Sequence, residues 1–434
     1  MELTYAGLLA VVMLLVLLAL GMPIAWAMGV IGVVGSALLM DVNRTAEQVV
    51  LTVWENGTLF VFIALPLFLL MGQLAYRTGI ADDFYDCVHK WLGRLPGGLA
   101  VAAVVSNAVY GSITGNSIAS VATMGPMVMP QFRAYGYNLS LATGTLASAG
   151  TLAVLVPPSA LMVIYGVWSE TSIGDLFLAG IVPCLLLALA YCAVLMAWCA
   201  LRPKDGPRGP AYPLAERIRS LWQLVPTLLV MAVVLGGIYG GVMTPAEAGG
   251  IGVAGVLVVA IARRRLTLKA VTQALRETTV TSGMVFAILV CGILFSRFMV
   301  HTKVTELIVE WISALRLGRV ELLLALLAFY FILGTALDTY GMLILSLPFV
   351  LPAIVAAGIN KVWFGVFVAV MVELAAVSPP VGITVAVMRS IAPDVPTSSI
   401  FRGCYPFLVL TILLSLALIW FPALALWLPS TTRS

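Results

Sequence analysis

The chain alternates long apolar runs with short polar connections, and the runs are long enough to cross a lipid bilayer. A helix needs about 20 predominantly apolar residues to span about 30 Å of hydrocarbon. The first run, 4–40, is too long for one crossing, and Gly21 and Pro23 divide it into two spans. The pattern predicts an all-α polytopic membrane protein. Further spans are predicted at about 56–76, 138–166, 173–200, 221–241, 243–262, 277–300, 361–388 and 404–428.

Four segments depart from this simple pattern. Segments 80–94 and 302–316 mix charged and apolar positions, which is typical of helices that lie at the membrane interface. The apolar runs 96–130 and 320–356 are interrupted near the middle by small, polar or acidic residues. Irregular backbone at membrane depth is tolerated only where it is buried in protein or lines a water-filled cavity. We therefore expect both interrupted runs to form re-entrant hairpins.

The helix-breaking residues of the two interrupted regions recur at one constant spacing along the chain, which we call the repeat spacing. At this spacing Asn116-Ser117 correspond to Asp338-Thr339. An odd number of predicted crossings separates the two copies, so they should have opposite orientations in the membrane. Such an inverted-topology repeat is the architecture of many secondary transporters. The recurring prolines are Pro126, Pro130, Pro157 and Pro158, which fall on Pro348, Pro352, Pro379 and Pro380.

The composition supports a membrane protein and indicates its topology. The chain is 62% hydrophobic and 10% charged, whereas a soluble domain carries about 25% charged residues. The net charge of +4 is small, and basic residues cluster in the connections 202–219 and 263–276. The positive-inside rule places both connections in the cytoplasm, so these charges indicate topology and no nucleic-acid partner. The six cysteines include no CxxC pair, and no cleavable signal precedes the apolar run.

The interrupted regions supply the candidate chemistry. Each proline pair removes helical hydrogen bonds and leaves carbonyls without partners. Carbonyl and hydroxyl oxygens together suit a hard cation such as Na⁺, and half-helix N-termini suit an anion. The first set of predicted sodium- or substrate-binding residues is Ser112, Gly115, Asn116, Ser117, Gly150, Thr151, Val156 and Pro157. The second set is Gly334, Asp338, Thr339, Gly341, Glu373, Val377, Ser378 and Pro379.

Two points about this site stay open at the level of sequence. The interruptions can instead be packing kinks that bind no ligand, since small residues are common between membrane helices. The individual Na⁺ ligands are also undefined. No arginine lies within the interrupted regions, so we expect a bound carboxylate to be held by helix dipoles, hydroxyl groups and Na⁺.

These stretches resemble the large membrane subunit of the tripartite ATP-independent periplasmic (TRAP) transporters. The resemblance implies a multi-pass protein of the bacterial inner membrane, surrounded by lipid, that imports a small organic anion, usually a carboxylate. It further implies Na⁺ as coupling ion with no other cofactor, and an elevator-type movement. The implied partners are a periplasmic substrate-binding protein and a separate small four-helix membrane subunit. The matching stretches are 111–120, 150–166, 239–253, 334–352 and 372–385.

Other functional classes fit the sequence less well. An intramembrane protease needs a catalytic pair, but Asp338 has no second aspartate within a span, and His89 and His301 lie outside the spans. We therefore expect no enzymatic activity. A channel or proton-pumping subunit would need more buried carboxylates than Asp338 and Glu373. The remaining alternative is a Na⁺–carboxylate symporter that works without a binding protein.

The expected division of the chain follows from the repeat. The hairpins should slide as one rigid body against a fixed scaffold, and the amphipathic segments should serve as connecting arms. The predicted units are 1–79 (scaffold spans), 80–200 (first transport repeat with arm and hairpin), 201–276 (scaffold spans with basic loops), 277–403 (second transport repeat with arm and hairpin) and 404–434 (C-terminal span).

Overall fold

The computed structural model describes residues 2–315, 317–334 and 337–432, and every regular element in this part of the chain is helical. Residues 335–336 of the second predicted hairpin tip and residue 316 of the second predicted arm lie outside the described residues. The first half contains α1 (Glu2–Ala19), α2 (Ile24–Leu39), α3 (Val42–Gly57), a 3₁₀ turn (Phe60–Ile63), α4 (Ala64–Arg77), α5 (Ile80–Leu92), α6 (Gly98–Thr114), α7 (Ser117–Ala134), α8 (Leu139–Ala149), α9 (Leu152–Leu155), α10 (Ala160–Trp168) and α11 (Ile173–Leu201).

The second half continues in the same all-helical manner. Its elements are α12 (Leu214–Tyr239), α13 (Pro245–Ala262), α14 (Leu268–His301), α15 (Val304–Ala314), α16 (Arg319–Leu333), α17 (Thr339–Ala356), α18 (Lys361–Val377), α19 (Ile383–Ile391), α20 (Thr397–Trp420) and α21 (Ala423–Thr432).

The helices confirm a polytopic membrane protein. Among the described residues, six helices are long and apolar enough to cross a bilayer, and a seventh span results if the bent pair α8–α10 is counted as one. The predicted division of the first run at Gly21 and Pro23 is confirmed, because α1 ends at Ala19 and α2 begins at Ile24. The two amphipathic segments form α5 and α15.

Several predicted boundaries differ from the helix ends. The sequence pattern did not predict α3, which is amphipathic and lies between the second and third predicted spans. Helix α14 runs through the predicted boundary at 276/277, and α20 runs through the one at 403/404. The reason is physical: hydropathy marks the part of a helix that lies in hydrocarbon, whereas these helices continue into polar surroundings at their N-terminal ends.

Small residues bring α2 and α4 close to their neighbours. A Cβ added to Gly32 in α2 would lie 2.7 Å from the backbone nitrogen of Phe295 in α14. A Cβ on Gly249 in α13 would lie 2.9 Å from the Cβ of Leu67 in α4. Such close approach through small residues is typical of membrane helix pairs. Helices α2, α4, α13 and α14 therefore pack as one group, which we call the scaffold group.

Helix α5, the first of the two predicted arms, makes polar contacts with α12 and with the connection between α13 and α14. The carboxylate of Asp83 accepts hydrogen bonds from Arg263 and, at 2.9 Å, from Nη1 of Arg265, both in the connection between α13 and α14. The indole of Trp91 donates to the carbonyl of Arg217 in α12 at 3.2 Å. Helix α5 is therefore attached to α12 and to the connection between α13 and α14.

Helices α8 and α20 make an equally close contact. A Cβ on Gly403 in α20 would lie 1.8 Å from the carbonyl oxygen of Ser140, and one on Gly144 in α8 would lie 2.1 Å from the carbonyl carbon of Gly403. The backbones of α8 and α20 therefore touch directly. Because α8 belongs to the first repeat and α20 follows the second, this contact fixes the first repeat to the helix that follows the second.

Candidate functional site

The repeat spacing found in the sequence is also present in the helices. Helix α7 (117–134) and helix α17 (339–356) coincide at that spacing residue for residue. The segment α8–α9 (139–155) corresponds in the same way to α18 (361–377). Each repeat therefore consists of a hairpin followed by a helix that breaks at the proline pair and resumes as α10 or α19.

The two broken helices run antiparallel to each other. The hydroxyl of Tyr165 near the end of α10 donates to the carbonyl of Lys361 at 2.7 Å, and the Lys361 ammonium donates to the carbonyl of Ser169 at 3.0 Å. At the other end, the hydroxyl of Ser140 at the start of α8 donates to the carbonyl of Ser399 at 2.5 Å. The end of the first broken helix thus lies beside the start of the second, and the start of the first lies beside the start of α20, which follows the second.

An ion pair supports the same arrangement outside the spans. Arg133 near the end of α7 donates to the carboxylate of Asp394, which follows α19, at 2.6 Å. This hydrogen bond lowers the pKa of Asp394 below its usual value. The C-terminal end of α7, which lies far from the hairpin tip, is therefore linked to the segment that follows α19.

The breaks lie at the predicted proline pairs, and both Pro157-Pro158 and Pro379-Pro380 contain a cis peptide bond. The first break bends the span by 42° between α8–α9 and α10. At the second break the hydroxyl of Thr384 donates to the freed carbonyl of Ala376 at 3.1 Å. The Ala376 carbonyl, which loses its helical partner at the proline pair, therefore accepts a hydrogen bond from within the protein.

The tip of the first hairpin is held against the first break. Gly115 ends α6 with a φ of +58°, and its carbonyl accepts from the Ala160 amide at 3.3 Å. A Cβ at Gly115 would lie 2.7 Å from the carbonyl oxygen of Pro158, so this position has no space for a side chain. The side chain of Asn116 caps α7 by accepting from the Ala119 amide at 3.0 Å.

The two repeats meet at the hairpin tips. The amide of Asn116 donates to the hydroxyl of Tyr340 at 2.8 Å. The hydroxyl of Ser117 donates to Oε1 of Glu373 at 3.3 Å, and Glu373 is only 2% exposed. The other carboxylate oxygen of Glu373 and the hydroxyl of the buried Thr339 find no hydrogen-bond partner among the described residues. Four of the predicted site residues therefore form one buried polar cluster around the tips.

Asp338 begins α17 and lies at the edge of this cluster. Its side chain is half-buried, and a Cβ added to Gly341 would lie 2.7 Å from its carboxylate oxygen. The carboxylate is thus placed over the first turn of α17, where backbone N–H groups and the helix dipole favour negative charge.

The remaining predicted residues lie near the breaks without joining the cluster. The hydroxyls of Ser112, Thr151 and Ser378 donate to nearby carbonyls of their own segments, at 2.5, 2.7 and 3.0 Å. Gly150 and Gly334 serve close packing, because an added Cβ would lie 2.2 Å from Val121 and 2.1 Å from Ala375. The other four, which form the backbone of the breaks, are Val156, Pro157, Val377 and Pro379.

A cavity of about 460 Å³ opens beside the hairpin tips. Its wall includes an arginine from outside the interrupted regions. Arg77 ends α4, and the packing of α4 against the hairpins brings it there, which no local sequence pattern could show. Sequence reasoning also missed Gln73, Glu277 and Tyr340. The polar and charged residues that line the cavity are Gln73, Tyr76, Arg77, Tyr110, Thr114, Asn116, Ser117, Thr123, Glu277, Thr281, Asp338, Thr339 and Tyr340.

This arrangement defines a class of protein. Paired, oppositely directed helices that break beside a shared polar cavity are typical of membrane transporters. The sequence matches the family described as "Tripartite ATP-independent periplasmic transporter, DctM component" over residues 11–424. The chain therefore belongs to the large membrane component family of the TRAP transporters.

Individual relatives agree with this family assignment. The chain is 29% identical over 394 residues to the C4-dicarboxylate TRAP transporter large permease protein DctM of Pseudomonas aeruginosa, covering 91% of this chain and 92% of that protein. It is 30% identical over 420 residues to the sialic acid TRAP transporter large permease protein SiaM of Vibrio cholerae, covering 95% and 96%. The crystal structure of the Alcanivorax borkumensis YdaH transporter shares the fold, with a TM-score of 0.62 at 16% identity, covering 96% of this chain and 98% of that one.

Proposed function

We propose that this chain carries a small organic anion, most simply a carboxylate, into the bacterial cytoplasm together with Na⁺. It does so as the large membrane subunit of a three-part system with a periplasmic binding protein and a small membrane subunit. The observation that carries the proposal is the contact between the repeats at the hairpin tips, made by Asn116 with Tyr340 and by Ser117 with Glu373. Family membership supports the partners and the location in the inner membrane.

Na⁺ coupling is supported by the oxygen atoms of the tip cluster. Na⁺ is a hard cation that prefers oxygen ligands. Glu373 provides a buried carboxylate, and one of its oxygens lacks a hydrogen-bond partner among the described residues. Thr339 provides a buried hydroxyl that also lacks a partner among them. A buried carboxylate without a full set of partners is unfavourable by itself, and a bound cation would compensate its charge. We therefore assign Glu373, Ser117, Thr339 and Asp338 as the residues around the coupling ion.

An elevator movement is supported by the way the helices group. We assign α1–α4 and α12–α14 to the fixed scaffold, α6–α11 and α16–α20 to the moving part, and α5 and α15 to the arms. Helix α14, which the sequence assigned mostly to the second transport repeat, joins the scaffold because its backbone approaches that of α2. The hairpins α6–α7 and α16–α17 then enter the membrane from opposite sides and turn back at their tips.

The uptake experiment uses the protein with its partners in proteoliposomes. The substrate is the anion that stabilises the binding protein encoded beside this chain in a thermal-shift screen. Uptake should require an inward Na⁺ gradient and the binding protein. Equal uptake in choline medium with a proton gradient would refute Na⁺ coupling, and equal uptake without any binding protein would favour a two-component symporter.

The elevator experiment compares two disulfides that both involve α14. A Cβ on Gly292 would lie 2.3 Å from the Cγ2 of Ile344 in α17, so the pair Gly292→Cys and Ile344→Cys, made with Cys291→Ser, should join scaffold to hairpin. Oxidation should stop uptake and reduction should restore it. In the control, Gly29→Cys lies close to the native Cys291, since its Cβ would be 2.8 Å from that sulfur. This disulfide stays within the scaffold and should leave uptake intact; inhibition by it alone would contradict the assignment.

A further inference from the structure

The scaffold carries two arginine–glutamate ion pairs that the proposed site does not use. Nη2 of Arg77 lies 3.2 Å from Oε1 of Glu277, and Nη2 of Arg297 lies 3.3 Å from Oε2 of Glu55. Glu55 and Glu277 are related by the same repeat spacing as the hairpins, and the two arginines lie near the ends of the matching helical segments. Only the glutamates match position for position, because Arg77 corresponds to Met299, which lies two residues after Arg297. The two ion pairs are therefore alike in place and in composition.

The two pairs lie at opposite ends of one long helix. Glu277 and Arg297 both belong to α14, the first near its start and the second near its end. A helix rises about 1.5 Å per residue, so these positions are about 30 Å apart, which is about the thickness of the hydrocarbon layer. One ion pair thus lies at each face of the membrane.

Each arginine lines a cavity. Arg77 contributes to the wall of the cavity beside the hairpin tips. Arg297 contributes to a second cavity of about 760 Å³, which lies between α14 and the connection after α10. That connection follows Trp168 and includes Glu170, so the second cavity also lies between scaffold and moving part. Each arginine therefore lines a cavity that borders the proposed moving part.

Both pairs are suited to exchange one carboxylate for another. Their distances exceed the range of about 2.7–2.9 Å that is usual for charge-assisted hydrogen bonds. The side chains of Glu277 and Glu55 are 55% and 59% exposed, so each can turn away into water. Nη1 of Arg77 donates to Gln273 at 2.7 Å, and its buried Nε finds no partner among the described residues. A guanidinium held in this way presents a planar fork that matches a carboxylate.

We infer that Arg77 and Arg297 are a matched pair of binding residues for an organic carboxylate, one in the wall of each cavity. The anion binds in each cavity by displacing the scaffold glutamate from the arginine, and the glutamate returns to the arginine when the anion leaves. The inference rests on the proposed transport of an anion, and it adds residues on the fixed scaffold to those on the hairpins.

The test measures the electrostatic potential at each arginine with charged thiol reagents. Gln73 lies four residues before Arg77 and Ile293 lies four residues before Arg297, and both line the respective cavity. Residues four apart on a helix are neighbours. The variants Gln73→Cys and Ile293→Cys are made separately in the full chain with Cys291→Ser and purified in detergent. Each is labelled with an anionic and with a cationic methanethiosulfonate, and the ratio of the two rates is recorded.

The expected results follow from the charges. Arg77→Gln should lower the anionic-to-cationic rate ratio at position 73 by about fivefold to tenfold, and Arg297→Gln should do the same at position 293, because one positive charge is lost about 6–8 Å away. Arg77→Lys should keep the ratio, and Glu277→Gln should raise it. Arg133→Gln, an exposed arginine of α7 paired with Asp394, is the matched control and should change neither ratio.

A second experiment tests whether a carboxylate binds in the two cavities. Sodium succinate should slow anionic labelling at both positions compared with sodium chloride of equal ionic strength, and this protection should be absent in the Arg→Gln variants. Unchanged rate ratios in both Arg→Gln variants, or no protection by succinate at either position, would overturn the inference. Variants are compared only if they elute like the parent protein, and Arg77→Lys provides a folded reference. The labelling needs no Na⁺ gradient and no binding protein. Anion binding at the two arginines can therefore be found even if Na⁺-driven uptake is absent, and Na⁺-driven uptake can be found even if the arginines bind no anion.

Discussion

The two repeats share their backbone but differ in charge. The broken helices, the proline pairs and the helices after the tips all coincide at the repeat spacing. At matched positions, however, the first repeat has Asn116 and Thr151 where the second has Asp338 and Glu373. The first repeat therefore offers amide and hydroxyl groups, and the second offers two carboxylates.

This difference teaches that the repeated prolines and helix ends determine the backbone geometry of both sites. The residues that differ at matched positions determine the chemistry of each site. The hydroxyl of Thr151 is used within its own segment, where it donates to the Ser148 carbonyl. The carboxylate of Glu373 instead reaches across to Ser117 of the other repeat. We therefore attribute the cation-binding charge to the second repeat, with the first repeat supplying neutral ligands and the tip that closes the cluster.

The largest effect is expected for Glu373→Gln. This change keeps the size of the side chain and removes the buried negative charge, so Na⁺ affinity should fall on the order of a hundredfold and Na⁺-driven uptake should be lost. The matched control is Thr151→Val, which should retain most of the uptake. Proteoliposome uptake at a series of Na⁺ concentrations gives the comparison. Similar losses in both variants would mean that the repeats contribute equally.

A smaller loss of transport is expected for Asp338→Asn. The carboxylate lies at the cavity edge over the first turn of α17, so its removal should weaken Na⁺-dependent uptake by about tenfold while the helix still forms. Asn116→Asp is the matched change in the first repeat. It should be tolerated better, because the Tyr340 hydroxyl can then donate to the new carboxylate. Near-normal uptake by Asp338→Asn would reduce Asp338 to a residue that caps a helix.

An effect on stability is expected for Gly115→Ala. The residue has a φ of +58°, and its Cβ would lie 2.7 Å from the Pro158 carbonyl oxygen. Strain of this kind destabilises by about 1–3 kcal/mol. The midpoint of thermal unfolding of the purified protein should fall accordingly. Leu337 occupies the matched position in the second repeat, so glycine is found there only in the first repeat. The control is Gly250→Ala in α13, where nothing lies within 4 Å of an added Cβ, so the midpoint should not fall; an equal fall for Gly250→Ala would contradict the comparison.

The smallest effect is expected for Tyr340→Phe. It removes the acceptor of the Asn116 amide at the contact between the tips, and loss of one neutral hydrogen bond is worth about 1 kcal/mol. The thermal midpoint should fall slightly and Na⁺ dependence should stay unchanged. A changed Na⁺ dependence would make Tyr340 part of the cation site.

The sequence predicted the parts of this site that are encoded locally. Each adjacent proline pair leaves two neighbouring positions without an amide donor, so the breaks at Pro157-Pro158 and Pro379-Pro380 could be read directly. The single prolines of the repeat were wrongly predicted to break helices, because Pro126 and Pro130 lie inside α7 and Pro348 and Pro352 lie inside α17. The contact of Ser117 with Glu373 joins residues far apart in the chain, and only their shared polarity hinted at it. Arg77 could not be predicted, since it ends an ordinary apolar helix and reaches the cavity through packing alone. Helix α3 was missed because its apolar positions are too few to resemble a span.

The most direct test of the central claim is binding of radioactive sodium to the purified chain, without substrate or partners. The wild-type protein, Glu373→Gln and Thr151→Val are compared by scintillation proximity, with displacement by sodium chloride and by potassium chloride. The account predicts saturable binding in the wild type that sodium displaces and potassium does not, retention of this binding in Thr151→Val, and its loss in Glu373→Gln. Undiminished sodium binding by Glu373→Gln would contradict the assignment of the cation site to the second repeat.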